Sequence, residues 1–143
     1  MRSLKFLLVS AAVLSTGCKS SEEVLNSDPA GAAVVTEIGQ TFDLRVGQTA
    51  RVGSGQLLVG FRGVAADSRC PVNVQCVWAG DAEIRIQVTV GRMAWSDHTL
   101  HTGVEPRSVR FRENTITVVG LKPETRSGSS IPKENYVVTL KVE

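Results

Sequence analysis

The chain has 143 residues, of which 16 are Lys or Arg and 14 are Asp or Glu, for a formal charge of +2. Two of the basic residues, Arg2 and Lys5, lie in the first 17 positions, so a chain cut after Gly17 is formally neutral. Such a chain lacks the massed cations that a nucleic-acid partner requires, and its length supports one hydrophobic core and not two.

The first element in chain order is an export signal. Arg2 and Lys5 supply a positive start, and residues 6–14 supply a short apolar run. A membrane-spanning helix needs about 20 apolar residues, so this run is too short for a permanent anchor. It leads into Leu14-Ser15-Thr16-Gly17-Cys18. That string resembles the lipobox of bacterial lipoproteins, in which the signal is removed before a Cys that carries a lipid. It departs from the family pattern in placing Leu14 four positions before the Cys, with Ser15 three before. Small residues at Ser15 and Gly17 also satisfy the ordinary small-x-small cleavage rule, which would release a soluble protein.

Cysteine arithmetic favours the lipid. The chain has three Cys; Cys70 and Cys76 are close enough to pair, which leaves Cys18 over. In an oxidising compartment a spare thiol is a liability, and a thioether-linked lipid consumes it. The expected organisation is a removed signal over 1–17, a lipid-anchored tether over 18–31 and a domain over 32–143. Lys19 stands where enteric-type lipoproteins kept at the inner membrane have Asp, so the resemblance points to the outer membrane. The tether is rich in Ser, Glu, Asn, Asp, Pro, Ala and Gly, a composition unable to bury a core.

From residue 32 onward every periodic segment reads as a strand. Residues 41–46 place Phe42, Leu44 and Val46 on one face, and Gly47-Gln48 turns the chain. Residues 56–65 follow Gly53-Ser54-Gly55 and set Leu57, Val59 and Phe61 on one side. The clearest strand is 82–90, where Ala82, Ile84, Ile86, Val88 and Val90 alternate with Glu83, Arg85, Gln87 and Thr89. Gly91-Arg92 predicts a tight turn into a strand over 93–100. Strands over 108–112 and 115–121 flank Glu113-Asn114, where Asn suits the positive φ of a two-residue hairpin. Tyr136, Val138, Leu140 and Val142 form the inner side of a closing strand. The basic cluster Arg107, Arg110 and Arg112 falls on an alternating segment and reads as a solvated sheet face. The prediction is an all-β domain, a single β-sandwich or small β-barrel of about 7–9 mostly antiparallel strands.

The most specific local feature is the block at 67–82, Asp-Ser-Arg-Cys-Pro-Val-Asn-Val-Gln-Cys-Val-Trp-Ala-Gly-Asp-Ala. With residues 103–107, 118–123 and 131–136, it resembles a group of uncharacterised secreted and lipid-anchored bacterial proteins. That resemblance implies a compartment and a domain boundary but no activity. Physically the block is a small disulfide-closed loop stiffened by Pro71, worth about 2 kcal/mol or less to the fold. Asp67 is expected to cap the turn, Arg69 to pair with Asp67 or Asp81, and Gly80 to let the backbone turn. Trp78 is expected to cover the disulfide, so that its truncation would cost about 3–5 kcal/mol.

Three functional readings stand beside that structural one. A rigid loop carrying Asp67, Arg69 and Trp78 could act as a recognition element, as protease inhibitors do, since pre-organisation lowers the entropy lost on binding. His98 and His101 with Asp97 are metal-ligand types, but residues three apart on a strand point to opposite faces, and a site needs three or four ligands. Asp67 or Asp97, a His, and Ser68 or Ser96 supply the residue types of a hydrolase triad. However, no G-x-S-x-G, H-E-x-x-H or P-loop pattern fixes their geometry. Gly128-Ser129-Ser130 lies in a polar loop and reads as a connection. The expectation is a lipid-tethered binding or structural module of the cell envelope, without cofactor or resident metal, whose partner is an envelope protein or small ligand. The alternative is an inhibitor or ligand-binding lipoprotein using the Cys70–Cys76 loop. The weaker alternative is a small hydrolase or metal protein around His98 and His101.

Overall fold

The computed structural model describes residues 33–143. The expected signal, Cys18 lipidation and tether lie outside the described residues.

Nine strands form two sheets. The first sheet is built from β1 (Val34–Thr36), β3 (Thr49–Val52), β4 (Leu57–Asp67), β5 (Ala82–Val90) and β6 (Ser96–His101), side by side in that order. The second has β2 (Thr41–Arg45), β9 (Val137–Val142), β8 (Asn114–Lys122) and β7 (Ser108–Phe111) in that order. All pairings are antiparallel except β1 with β3. The fold is a β-sandwich, as its alternating segments predict.

The alternation explains the core. Ala82, Ile84, Ile86 and Val88 of β5 are buried with Val59 and Phe61 of β4, while Leu44, Ile116, Val118, Val138 and Leu140 supply the facing layer. The closing strand behaves the same way, with Val138, Leu140 and Val142 fully buried. On β7, Val109 and Phe111 pack against this core and Arg110 is exposed, which fits the solvated-face reading.

Three boundaries differ from expectation. The β7–β8 turn is Arg112-Glu113, because Phe111 pairs with Asn114 and Val109 with Ile116. That register keeps both apolar residues inward and gives the positive φ of 56° to Arg112, while Asn114 opens β8. Residues 93–95 are not strand: the Met93 N–H donates to Val90 O and the ladder resumes only at Ser96, opposite Val88. Strands β1 and β3, too short to show a period, are additional elements. β4 runs to Asp67 with two register shifts, and its last residue pairs with the first of β5, Ala82. Residues 68–81 are therefore a loop between paired strands, at one end of the sandwich.

Candidate functional site: the 68–81 loop

The stem of the loop continues the β4–β5 ladder. The Ser68 N–H and Oγ both donate to Asp81 O, at 2.7 and 3.0 Å, and the Cys70 N–H donates to Ala79 O at 2.7 Å. Cys70 and Cys76 are joined, with Cα atoms 5.9 Å apart. The neighbouring loop braces one side. The Val72 N–H donates to Thr125 O, Thr125 Oγ1 to Arg69 O, and the Ser127 N–H to Asn73 Oδ1.

Two carboxylates anchor the loop at its feet. Asp67 Oδ1 accepts from the Arg69 N–H, the turn cap expected of it, and from Arg69 Nε. Its Oδ2 accepts from Arg69 Nη2 at 2.7 Å and from the Tyr136 hydroxyl at 3.0 Å. The same guanidinium crosses to the other sheet, where Nη1 donates to Leu121 O and Nη2 to Pro123 O. Arg69 is thus folded inward, its side chain 15 % exposed and that of Asp67 9 %. At the second foot, Asp81 Oδ1 accepts from the Thr102 and Gly103 N–H groups, while Oδ2 lies 2.6 Å from His101 Nδ1. An ionised carboxylate only accepts, so that imidazole nitrogen carries the proton.

These contacts set the carboxylates' acidity. Burial raises the pKa of Asp67, but the Arg69 charge and hydrogen bonds, with help from Tyr136, outweigh it and hold the carboxyl below the usual 3.8. Asp81 is lowered in the same way: burial raises it, while the Gly103 amide, His101 and the Thr102 amide lower it further. Burial and the Asp67 charge push the Tyr136 hydroxyl above its ordinary value. A carboxyl acidified by folding contributes stability that is complete above its unfolded pKa and is lost as pH falls through its folded pKa. Stability should therefore drop as pH falls below about 4. An Asp67→Asn variant should be less stable at neutral pH and show a shallower acid dependence, as measured by denaturant midpoints from pH 2 to 7.

The tip contrasts with this anchored base. Val77 is 99 % and Trp78 83 % exposed. The expectation that Trp78 covers the disulfide is overturned. The base of the loop is bound instead by polar contacts, from the Arg69 side chain to the carbonyls of Leu121 and Pro123 and from the 125–127 segment to Arg69 and Asn73, and the indole is left to solvent. Trp78 instead lines, with half-exposed Val104, an open recess of about 410 Å³ beside Gly80 and Asp81. Of the expected recognition residues, Asp67 and Arg69 serve the base and Trp78 alone is presented to solvent.

The other candidate residues are not assembled together. His98 pairs in register with core-facing Ile86 and meets Phe111 edge-on, whereas His101 pairs with Glu83 on the outer side and bonds Asp81. Asp97 accepts from Gln87 Nε2, and the Ser68 hydroxyl is bound to Asp81 O. No cluster of three metal-ligating side chains occurs among the described residues. The contributions of Tyr136, Thr102 and Gly103 were not expected from sequence. Tyr136 carried a signal, since a core-facing phenol needs a polar partner, but the amide donors of 102 and 103 carried none. Comparison with protein-family models, curated proteins and solved structures found no match.

Proposed function

We propose that this protein is a non-catalytic contact module of the bacterial cell envelope, tethered by a lipid on Cys18 and engaging its partner through the Val77–Trp78 tip. The observation that carries this reading is the exposure of two adjacent apolar side chains, Val77 and Trp78, on a loop whose base is tied by a disulfide and a hydrogen-bonded ion pair. A large aromatic left in water is a poor use of a core residue but a good contact residue, and a rigid support reduces the entropy lost on binding. The inward Arg69 favours this surface over an inhibitory loop presenting a basic side chain.

Trp78→Ala should change stability by no more than about 0.5 kcal/mol, the usual range for surface positions. The same substitution should remove the crosslinks formed through the loop in the intact envelope. Membrane fractionation with intact-mass analysis should find the wild-type chain beginning at acylated Cys18. A large loss of stability in Trp78→Ala, or unchanged crosslinking, would count against the tip as a contact surface. A soluble, unmodified product would count against the tether.

A further inference from the structure

The direction in which the chain joins the sandwich bears on what the tip touches. β4 runs from Leu57 toward the loop at Asp67; β3 is antiparallel to it and β1 is parallel to β3. β1 therefore runs away from the loop end. Val34 pairs with Ala50, which pairs with Val59, so the chain enters roughly 25 Å below Asp67 while travelling from the loop side. Residues 19–33 span at most roughly 50 Å when extended. The Cys70–Ala79 pair beside Trp78 stands three residues beyond Asp67, so the tip lies roughly 35 Å from Val34, within the reach of a lipid on Cys18.

The tip has the composition of a bilayer interface. Residues 70–80 contain no Asp, Glu, Lys or Arg, and the guanidinium of Arg69 is bound inward. Val72 and Val74 of the same loop are also half-exposed, as is Val104, which lines the recess with Trp78. Trp is favoured at the headgroup level, where its ring is apolar and its N–H stays wet. A stable protein interface buries about 800 Å² per partner, well beyond a Trp's roughly 250 Å². A tip already held near a membrane by a lipid needs no such area, because the tether supplies the effective concentration.

We propose that Val77 and Trp78 seat in the headgroup–acyl boundary of the bilayer that carries the Cys18 lipid, a second attachment that fixes the domain's orientation. This rests on the lipid-tethered contact-surface reading above and names its partner. The test uses the full-length lipidated protein carrying Trp95→Phe, which leaves Trp78 as the sole tryptophan, with lipidation verified by mass. The protein is reconstituted into phosphatidylcholine vesicles with or without bromine on the acyl chains. A photo-crosslinker at position 77 is used in parallel in the native envelope. The expected result is a blue-shifted Trp78 emission that is mostly lost in the brominated vesicles. Unquenched Trp78 with a protein crosslinked to position 77 would overturn the bilayer seat and leave the contact surface standing. Unquenched Trp78 with no crosslinked species would overturn both.

Discussion

Replacing Arg69 with alanine is expected to destabilise the domain by about 3–4 kcal/mol, read as a lower denaturant midpoint at neutral pH. The guanidinium donates to both Asp67 oxygens and to the carbonyls of Leu121 and Pro123, all while largely shielded from water. Its removal leaves a shielded carboxylate with only Tyr136 and one backbone amide as donors, and two carbonyls without their partner. Breaking one side of a buried ion pair costs far more than the pair's net worth, because the remaining charge stays desolvated. The loss is a large fraction of the 5–15 kcal/mol typical of a whole domain. Arg69→Lys should recover part of it, since an ammonium restores the charge but cannot match four acceptors in one plane. In a double-mutant cycle with Asp67→Asn, the two losses should be far from additive. A surface recognition arginine would instead cost about 0.5 kcal/mol or less.

Gly80→Ala is the second large effect, expected at about 3 kcal/mol from a left-handed backbone and an overlap together. Gly80 has φ +72°, and a Cβ there would overlap the Ser68 carbonyl oxygen and press on Arg69 Cα. Neither neighbour is a flexible side-chain end: both belong to the stem, pinned by the Ser68–Asp81 and Cys70–Ala79 hydrogen bonds. The Gly80 carbonyl in turn lies where a Cβ on Gly103 would have to go, so the 102–103 segment and the loop foot pack backbone to backbone. Gly91→Ala is the control. Gly91 has φ +60° with open space around it, so only the backbone cost of about 1–2 kcal/mol applies. Midpoints that are equal for the two variants would remove the close approach from the account.

Much of this molecule is written locally. The period of two over 82–90 determined a strand that the structure reproduces residue for residue, and residues 136–142 determined the closing strand and its buried face. The spacing of Cys70 and Cys76, with Pro71 and Gly80 beside them, determined a small closed loop between strands. Asp67 as a turn cap and partner of Arg69 was equally legible, because both contacts span only two residues.

What the tertiary structure alone decided depends on residues far apart in the chain. Arg69 finds its remaining acceptors 52 and 54 positions away, and they are main-chain carbonyls, which every residue carries and no side-chain pattern marks. Asp67 meets Tyr136 across 69 positions only because β4 ends beside the chain entering β9. The turn at Arg112-Glu113 was decided by the inward register of Val109 against Ile116, which outweighed the local preference of Asn114 for positive φ. The exposure of Trp78 has the same origin. Whether a large apolar side chain is buried depends on what the fold packs against it, and here the loop base is held by the polar contacts of Arg69 while Trp78 stays 83 % exposed.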